Sequence, residues 1–188
     1  MNIKNYIDDK KHLIDNKLLQ YFPEKKSYEN KLYDSIFYSI NSNGKRLRPV
    51  LCLASCELIS GKYENALPLA CAIEMIHTYS LIHDDLPSMD DDDLRRGKPT
   101  NHKVYGEAVA ILAGDALLTD AFKIIATESI KLDIANRVVL DIICSLSKLA
   151  GSEGMVLGQA MDLSLEGSSS ASKEKLEQVH DLKTGKMI

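Results

Sequence analysis

Apolar residues recur along this chain at the i, i+3, i+4, i+7 spacing of helices, and no stretch combines strict alternation with β-branched enrichment. Met1 to about Gln20 predicts an amphipathic helix, stopped at Phe22-Pro23. Ser27, followed by Asn30 and the series Leu32, Ile36, Phe37, Ile40, predicts a second, ended by Asn41-Ser42-Asn43-Gly44. Val50 to Ser60 is apolar nearly all round, which predicts a helix buried on most sides. Asn65 to Asp85 is the expected central helix, with Leu67, Leu69, Ile73, Ile76, Leu81 and Ile82, and Pro87 ends it. Gly97 and Pro99 mark a loop, and further helices are predicted over Glu107 to about Glu128, Ala135 to Leu149, and about Glu153 to Leu165. Gly167 to Ser170 predicts a loop, and a last helix is expected from near Ser172 to Ile188, where no C-cap signal stops it. The pattern predicts an all-α helical bundle over residues 1–188, a single domain truncated at its C-terminus.

Composition narrows this little. The chain is 45% apolar and 27% charged, ordinary for a globular protein, and its net charge of −4 gives no argument for nucleic acid. No run of about 18 apolar residues exists, so no membrane span is expected. The opening Met1-Asn2-Ile3-Lys4-Asn5-Tyr6-Ile7-Asp8-Asp9 is too acidic for a secretion signal. Cys52, Cys56, Cys71 and Cys144 form no Cys-x-x-Cys pair and read as buried thiols, which points to the cytoplasm.

Candidate chemistry lies where the central helix ends. His83-Asp84-Asp85-Leu86-Pro87-Ser88-Met89-Asp90-Asp91-Asp92-Asp93 carries six carboxylates within ten residues, with Arg95, Arg96 and Lys98 next. Like charge at this density needs neutralising, and hard divalent cations take oxygen ligands. The plainer reading is a solvated acidic loop. An EF-hand is excluded, because Leu86 and Met89 stand where a ligand and a glycine are required. Mg2+ suits the run better, since it takes one or two carboxylates and shares its shell with substrate phosphates. Seven residues make nearly two helical turns, so His77 shares a face with Asp84, and Ser80 lies near the same stripe. Gly44-Lys45-Arg46-Leu47-Arg48-Pro49 places cations at a helix start, and Arg95 and Arg96 add guanidiniums that grip phosphate. An acidic platform between two anion grips, opening on an apolar interior, suits a phosphorylated substrate with an apolar tail.

At these residues the chain resembles the trans-isoprenyl diphosphate synthases, in particular bacterial-type farnesyl and geranylgeranyl diphosphate synthases. The resemblance runs from about Ser27 to Ile188 and rests on Gly44 to Pro49, on Glu74 to Gly114 with Leu112-Ala113-Gly114-Asp115, on Gly158-Gln159-Ala160-Met161-Asp162-Leu163, and on Lys183-Thr184-Gly185. It implies an all-α bundle around a deep apolar cavity, a homodimer and Mg2+. Asp84, Asp85 and Asp90 would form the first aspartate-rich motif, with Asp84 and Asp90 on the Mg2+ that bridges an allylic diphosphate. Lys45, Arg48, His77 and Arg96 would hold isopentenyl diphosphate, and Arg95 the allylic diphosphate. Lys183 and Thr184 would approach the reacting end of the allylic substrate, with Gln159 among the substrate-binding residues. Tyr79, the fifth residue before Asp84, and its neighbour Ser80 would set product length. Tyr79 lies about 7.5 Å down the helix from Asp84, and its bulk favours C15 farnesyl over C20 geranylgeranyl.

One part of the pattern is missing. No second aspartate-rich motif follows Asp93, and Asp162 and Asp181 stand alone in the sequence. The expectation is therefore a prenyltransferase lacking its C-terminal third, with apolar faces between Val109 and Leu149 short of partners. The alternatives are a silent partner subunit of such a synthase and a metal-dependent phosphohydrolase. The second is prompted by His83-Asp84 but opposed by the scatter of His12, His77, His102 and His180.

Overall fold

Leu67–Asp84 (named α4 below) is the most deeply buried helix of the computed structural model, which describes residues 2–22, 30–166 and 172–188. Ala70, Cys71, Ala72, Met75 and Ile76 are fully enclosed, and each large apolar side chain so buried contributes about 1.5–3 kcal/mol. A 3-10 turn at Glu64–Ala66 leads in, and Pro68 occupies the first turn, where a missing N–H costs nothing. Asp85 caps the end, so the helix stops before Pro87.

The chain divides into two compact units, Met1–Ser129 and Ile130–Ile188. In the first, α1 (Ile3–Tyr21), α2 (Asn30–Ile40) and α3 (Leu47–Ser60) each pack against α4. Ile14, Leu18, Ile36, Ile40, Val50 and Leu53 supply their core faces. After α4 come β1 (Leu94–Arg95) and β2 (Lys98–Pro99), the short α5 (Asn101–Tyr105), and α6 (Glu107–Lys131), whose last turn holds the division. In the second unit, α7 (Asn136–Ala150), α8 (Met155–Leu165) and α9 (Lys173–Lys183) enclose Leu146, Met155, Val179, Leu182 and Met187. Among the described residues no helix is long and apolar enough to cross a membrane.

The helical expectations hold, with five differences. Helix α3 is not buried on most sides: Leu51, Leu58 and Ile59 are exposed, because its neighbours α1 and α4 cover one face only. The Gly97 loop is an antiparallel hairpin, pairing Leu94 with Pro99 and Arg95 with Lys98 across a two-residue turn. Arg96 and Gly97 both have positive φ there (54° and 79°), which suits the twist of paired strands. Helix α5 was not expected at all. Helix α9 ends at Lys183 rather than at Ile188, since Thr184 turns to φ −120° and Gly185–Met187 continue as a 3-10 turn. Of the cysteines only Cys71 is buried; Cys52 and Cys56 are half-buried and Cys144 is exposed on α7. The predicted start at Ser27, the stop at Pro23 and the Gly167–Ser170 loop fall outside the described residues. The expected unpartnered apolar faces are present, with Ile111 and Leu112 exposed on α6 and Val138 and Leu140 on α7.

Candidate active site

The end of α4 sets the geometry of the acidic run. Leu86, only 6% exposed, anchors the chain just past the helix, and its carbonyl accepts from Met89 N–H (2.8 Å) and Asp91 N–H (3.1 Å). The turn folds back so that Asp90 N–H donates to the Asp84 carbonyl at 2.9 Å. Six positions apart in sequence, Asp84 and Asp90 are thus neighbours at one helix end. Other residues of the run hold the loop together. Lys103 Nζ stands 2.7 Å from Asp93, and Thr100 closes the loop through its N–H to the Asp93 carbonyl (3.0 Å) and its hydroxyl to the Asp92 carbonyl (2.7 Å). Buried Asp85 accepts from Arg95 Nε at 2.6 Å and from the same guanidinium's Nη2. Burial lifts the Asp85 carboxyl above the ordinary range and Arg95 pulls it back, while Arg95 is held the more firmly protonated by that bond.

The implied Mg2+ fits this donor set. Among the described residues no three His, Cys, Asp or Glu side chains are grouped to hold a metal by themselves. Asp84 and Asp90 are carboxylate-bearing residues whose backbones are joined at one helix end, and a pair of such residues matches an ion that takes one or two carboxylates and completes its shell with phosphates.

The basic residues gather around His77. Burial, then the fields of Arg48, Arg96, Arg46 and Arg95, holds its imidazole down at about 4, so it is neutral at pH 7. These arginines divide into two kinds. Arg46 and Arg95 are bonded to carboxylates and shifted upward; Arg48 and Arg96 are shifted downward by burial. Arg48 Nε is buried with no acceptor among the described residues, a costly state for a donor. Lys45 is exposed beside them. A Cβ on Gly44 would lie 2.9 Å from Arg96 Nη1 and 3.0 Å from Arg46 Nη1, so a side chain there would displace the ends of these guanidiniums. The sequence-predicted Arg48, His77 and Arg96 are therefore grouped, Lys45 is an exposed neighbour of Arg46 in the chain, and Arg95 is engaged with Asp85.

Tyr79 is buried on α4 and meets the His83 ring edge-on at 5.6 Å between centroids. Half-buried Ser80 donates to the His77 carbonyl at 2.9 Å. His83 Nε2 stands 3.0 Å from the Ile111 carbonyl, so it donates there as N–H, and Gly114 gives the ring its space. A Cβ on Gly114 would come within 2.1 Å of His83 Nε2.

In the second unit, Gly158 lets α8 approach α9 closely, since a Cβ would lie 2.3 Å from the Lys183 backbone nitrogen. One turn on, Asp162 pairs with Lys183 Nζ at 2.7 Å. Gln159 and Thr184 adjoin these contact residues in sequence. Asp162 and Asp181, isolated in the sequence, are paired in space, the latter with Lys186 at 3.2 Å.

Sequence reasoning gave no role to Asp15 or Glu74, missed the pairing of Asp162 with Lys183, and read Arg46 as one of the cations that grip an anion, whereas the structure buries it against Asp15 and Glu74. A signal existed for Glu74, an acid within an otherwise apolar helix three residues before His77, since a buried charge requires a partner.

An all-α scaffold whose central helix ends in paired aspartates beside clustered arginines defines an isoprenyl-synthase type of protein. The chain belongs to the polyprenyl synthetase family, whose pattern matches residues 29–188. It is 50% identical to a farnesyl diphosphate synthase of Geobacillus stearothermophilus, over 100% of this chain and 62% of the relative. It is 48% identical to a geranylgeranyl diphosphate synthase of Cyanophora paradoxa, over 100% of this chain and 61% of the relative. The fold superposes on an FPP/GFPP synthase from Zymomonas mobilis with a TM-score of 0.92 at 42% identity, covering 99% of this chain and 66% of that one. The chain thus spans about three-fifths of the length of these curated relatives.

Proposed function

We propose that this chain is part of a short-chain prenyltransferase that condenses isopentenyl diphosphate with dimethylallyl or geranyl diphosphate to give farnesyl diphosphate. The observation that carries the reading is the neutral His77 set among Arg48 and Arg96 on the helix that ends in Asp84. A diphosphate would satisfy the Arg48 Nε donor and accept from the His77 N–H. Lys45, Arg48, His77 and Arg96 are assigned to isopentenyl diphosphate. Asp84 and Asp90, with Asp85 behind them, are assigned to Mg2+ and, with Arg95, to the allylic diphosphate. When bound, Mg2+ would supply positive charge to the oxygens of the departing diphosphate. Cationic side chains favour the same charge, so the allylic C–O bond can ionise. The isopentenyl double bond then attacks the allylic cation, a C–C bond forms, and loss of one proton restores an alkene. Lys183, Thr184 and Gln159 are assigned to the allylic substrate on the family pattern.

Buried Tyr79 supports a C15 stop, and replacement by a small residue would lengthen the product. The similarity to a geranylgeranyl diphosphate synthase supports C20 as the second product. A cytoplasmic homodimer, with Ile111 and Leu112 of α6 available to a second copy, completes the reading, as does a single synthase domain. The test is a condensation assay with isopentenyl and allylic diphosphates and Mg2+, on these 188 residues and on any longer product of the same source. Farnesyl diphosphate from the longer chain alone supports the reading with this chain as a part. No elongation by either leaves the silent-subunit alternative.

A further inference from the structure

Arg46 is the residue of the Gly44–Pro49 turn for which the proposed function has no use, and it is the most completely bonded. Its side chain is 4% exposed. Nε donates to Asp15 of α1 at 2.8 Å, and Nη1 donates to Glu74 of α4 at 2.6 Å. Nη2 donates to the Ile40 carbonyl at 2.5 Å and to the Ser42 carbonyl at 3.4 Å, at the end of α2. One guanidinium therefore ties together the end of α2, the start of α3 and the two helices beside them. The backbone there is unusual as well: Arg46 is the N-cap of α3 in the left-handed region, with φ 50°. A residue with a Cβ holds that conformation only when its surroundings enforce it, and such strain collects at functional sites.

What the anchor holds in place lies on either side of it. Lys45 is exposed one residue before, and Arg48 is half-buried two residues after. Gly44, between α2 and the anchor, packs against both Arg46 and Arg96. Glu74 also stands in the field of Arg96 and Arg48, one turn of α4 below His77.

We propose that Arg46 is a positioning residue: bonded to Asp15, Glu74 and the end of α2, it fixes the left-handed turn that aims Lys45 and Arg48 at isopentenyl diphosphate. The inference rests on the functional reading above. It concerns position and not charge, and lysine separates the two. A lysine keeps the charge but lacks the planar fork that reaches three elements at once.

The test is calorimetric binding of isopentenyl diphosphate, and of geranyl diphosphate with Mg2+, to the 188-residue chain and its variants. Both Arg46→Gln and Arg46→Lys are expected to weaken isopentenyl diphosphate about tenfold or more, an effect of roughly 1.4 kcal/mol, and to leave geranyl diphosphate unchanged. Recovery of affinity in Arg46→Lys would make Arg46 a mere charge and overturn the inference. Equal weakening of both ligands by Arg46→Gln would make its role generally structural, with the same result. If the Arg46 variants do not fold, Asp15→Ala removes one bond from the half-exposed side of the cluster. A selective loss of isopentenyl diphosphate affinity in Asp15→Ala supports the inference and no loss sinks it. If the unaltered chain binds neither diphosphate, the functional reading fails and takes the inference with it.

Discussion

The Gly44–Pro49 turn and the Leu94–Pro99 hairpin look alike in sequence, each offering arginines beside a glycine, and they use those arginines in different order. In the turn, the left-handed residue Arg46 is the anchor and the later Arg48 keeps a buried donor with no acceptor among the described residues. In the hairpin, the earlier Arg95 is the anchor, bonded to Asp85, and the left-handed residue Arg96 has no carboxylate bond among the described residues. Backbone strain therefore does not tell the two kinds apart. Carboxylate pairing does. An arginine held by a buried acid has its position fixed by the fold, and one left without such a partner near a neutral histidine has its donors directed to an anion.

The largest test of that distinction is Glu74→Ala. It strands Arg46 in the interior, and removing one partner of a buried pair costs about 3–5 kcal/mol. Urea unfolding should show a midpoint far below that of the unaltered chain. A variant of unchanged stability would mean that Arg46 is no anchor.

Arg48→Ala should act the other way. Its charge-assisted bonds to a diphosphate are worth about 1.5–3 kcal/mol, so isopentenyl diphosphate affinity should fall roughly tenfold to a hundredfold. Its unfolding midpoint should not move, and a large drop in stability would erase the contrast with Arg46.

Within the hairpin the contrast is smaller. Arg95→Ala leaves Asp85 buried without its partner, at about 1–3 kcal/mol, whereas Arg96→Ala should stay within about 0.5 kcal/mol of the unaltered chain. Equal losses in the two would break the comparison.

A further test concerns pH. His77 takes its proton near 6.5 when unfolded and only at about 4 when folded, so the unfolded chain binds more protons between those values. The stability linked to His77 is complete above pH 6.5 and is lost as pH falls through 4. His77→Gln should flatten the stability profile across that window, and an unaltered slope would mean that the imidazole is not held neutral.

How much of this was legible beforehand varies with the kind of signal. The helices were, because an apolar stripe of nearly constant period is a local property; α4 and α6 needed no partner to be identified. The outer face of α3 was not. Leu51, Leu58 and Ile59 read as core because sequence records hydrophobicity and not which neighbours exist to cover it. Grouping of Arg48, His77 and Arg96 was an expectation of the family pattern, since helix geometry by itself related His77 only to Asp84. The division of labour between adjacent arginines did not, since it depends on Asp15, 31 positions away from Arg46, and on a left-handed turn that no composition rule marks. Asp162 was missed for the same reason, as its partner Lys183 lies 21 positions on.

The central claim is that the cations around His77 form a diphosphate grip, and the most direct measurement is an NMR titration of the His77 imidazole with and without inorganic diphosphate. A bound polyanion favours the protonated ring, so the His77 pKa should rise from about 4 toward or beyond the ordinary histidine value. A His77 resonance that titrates identically in the presence of saturating diphosphate would contradict the account.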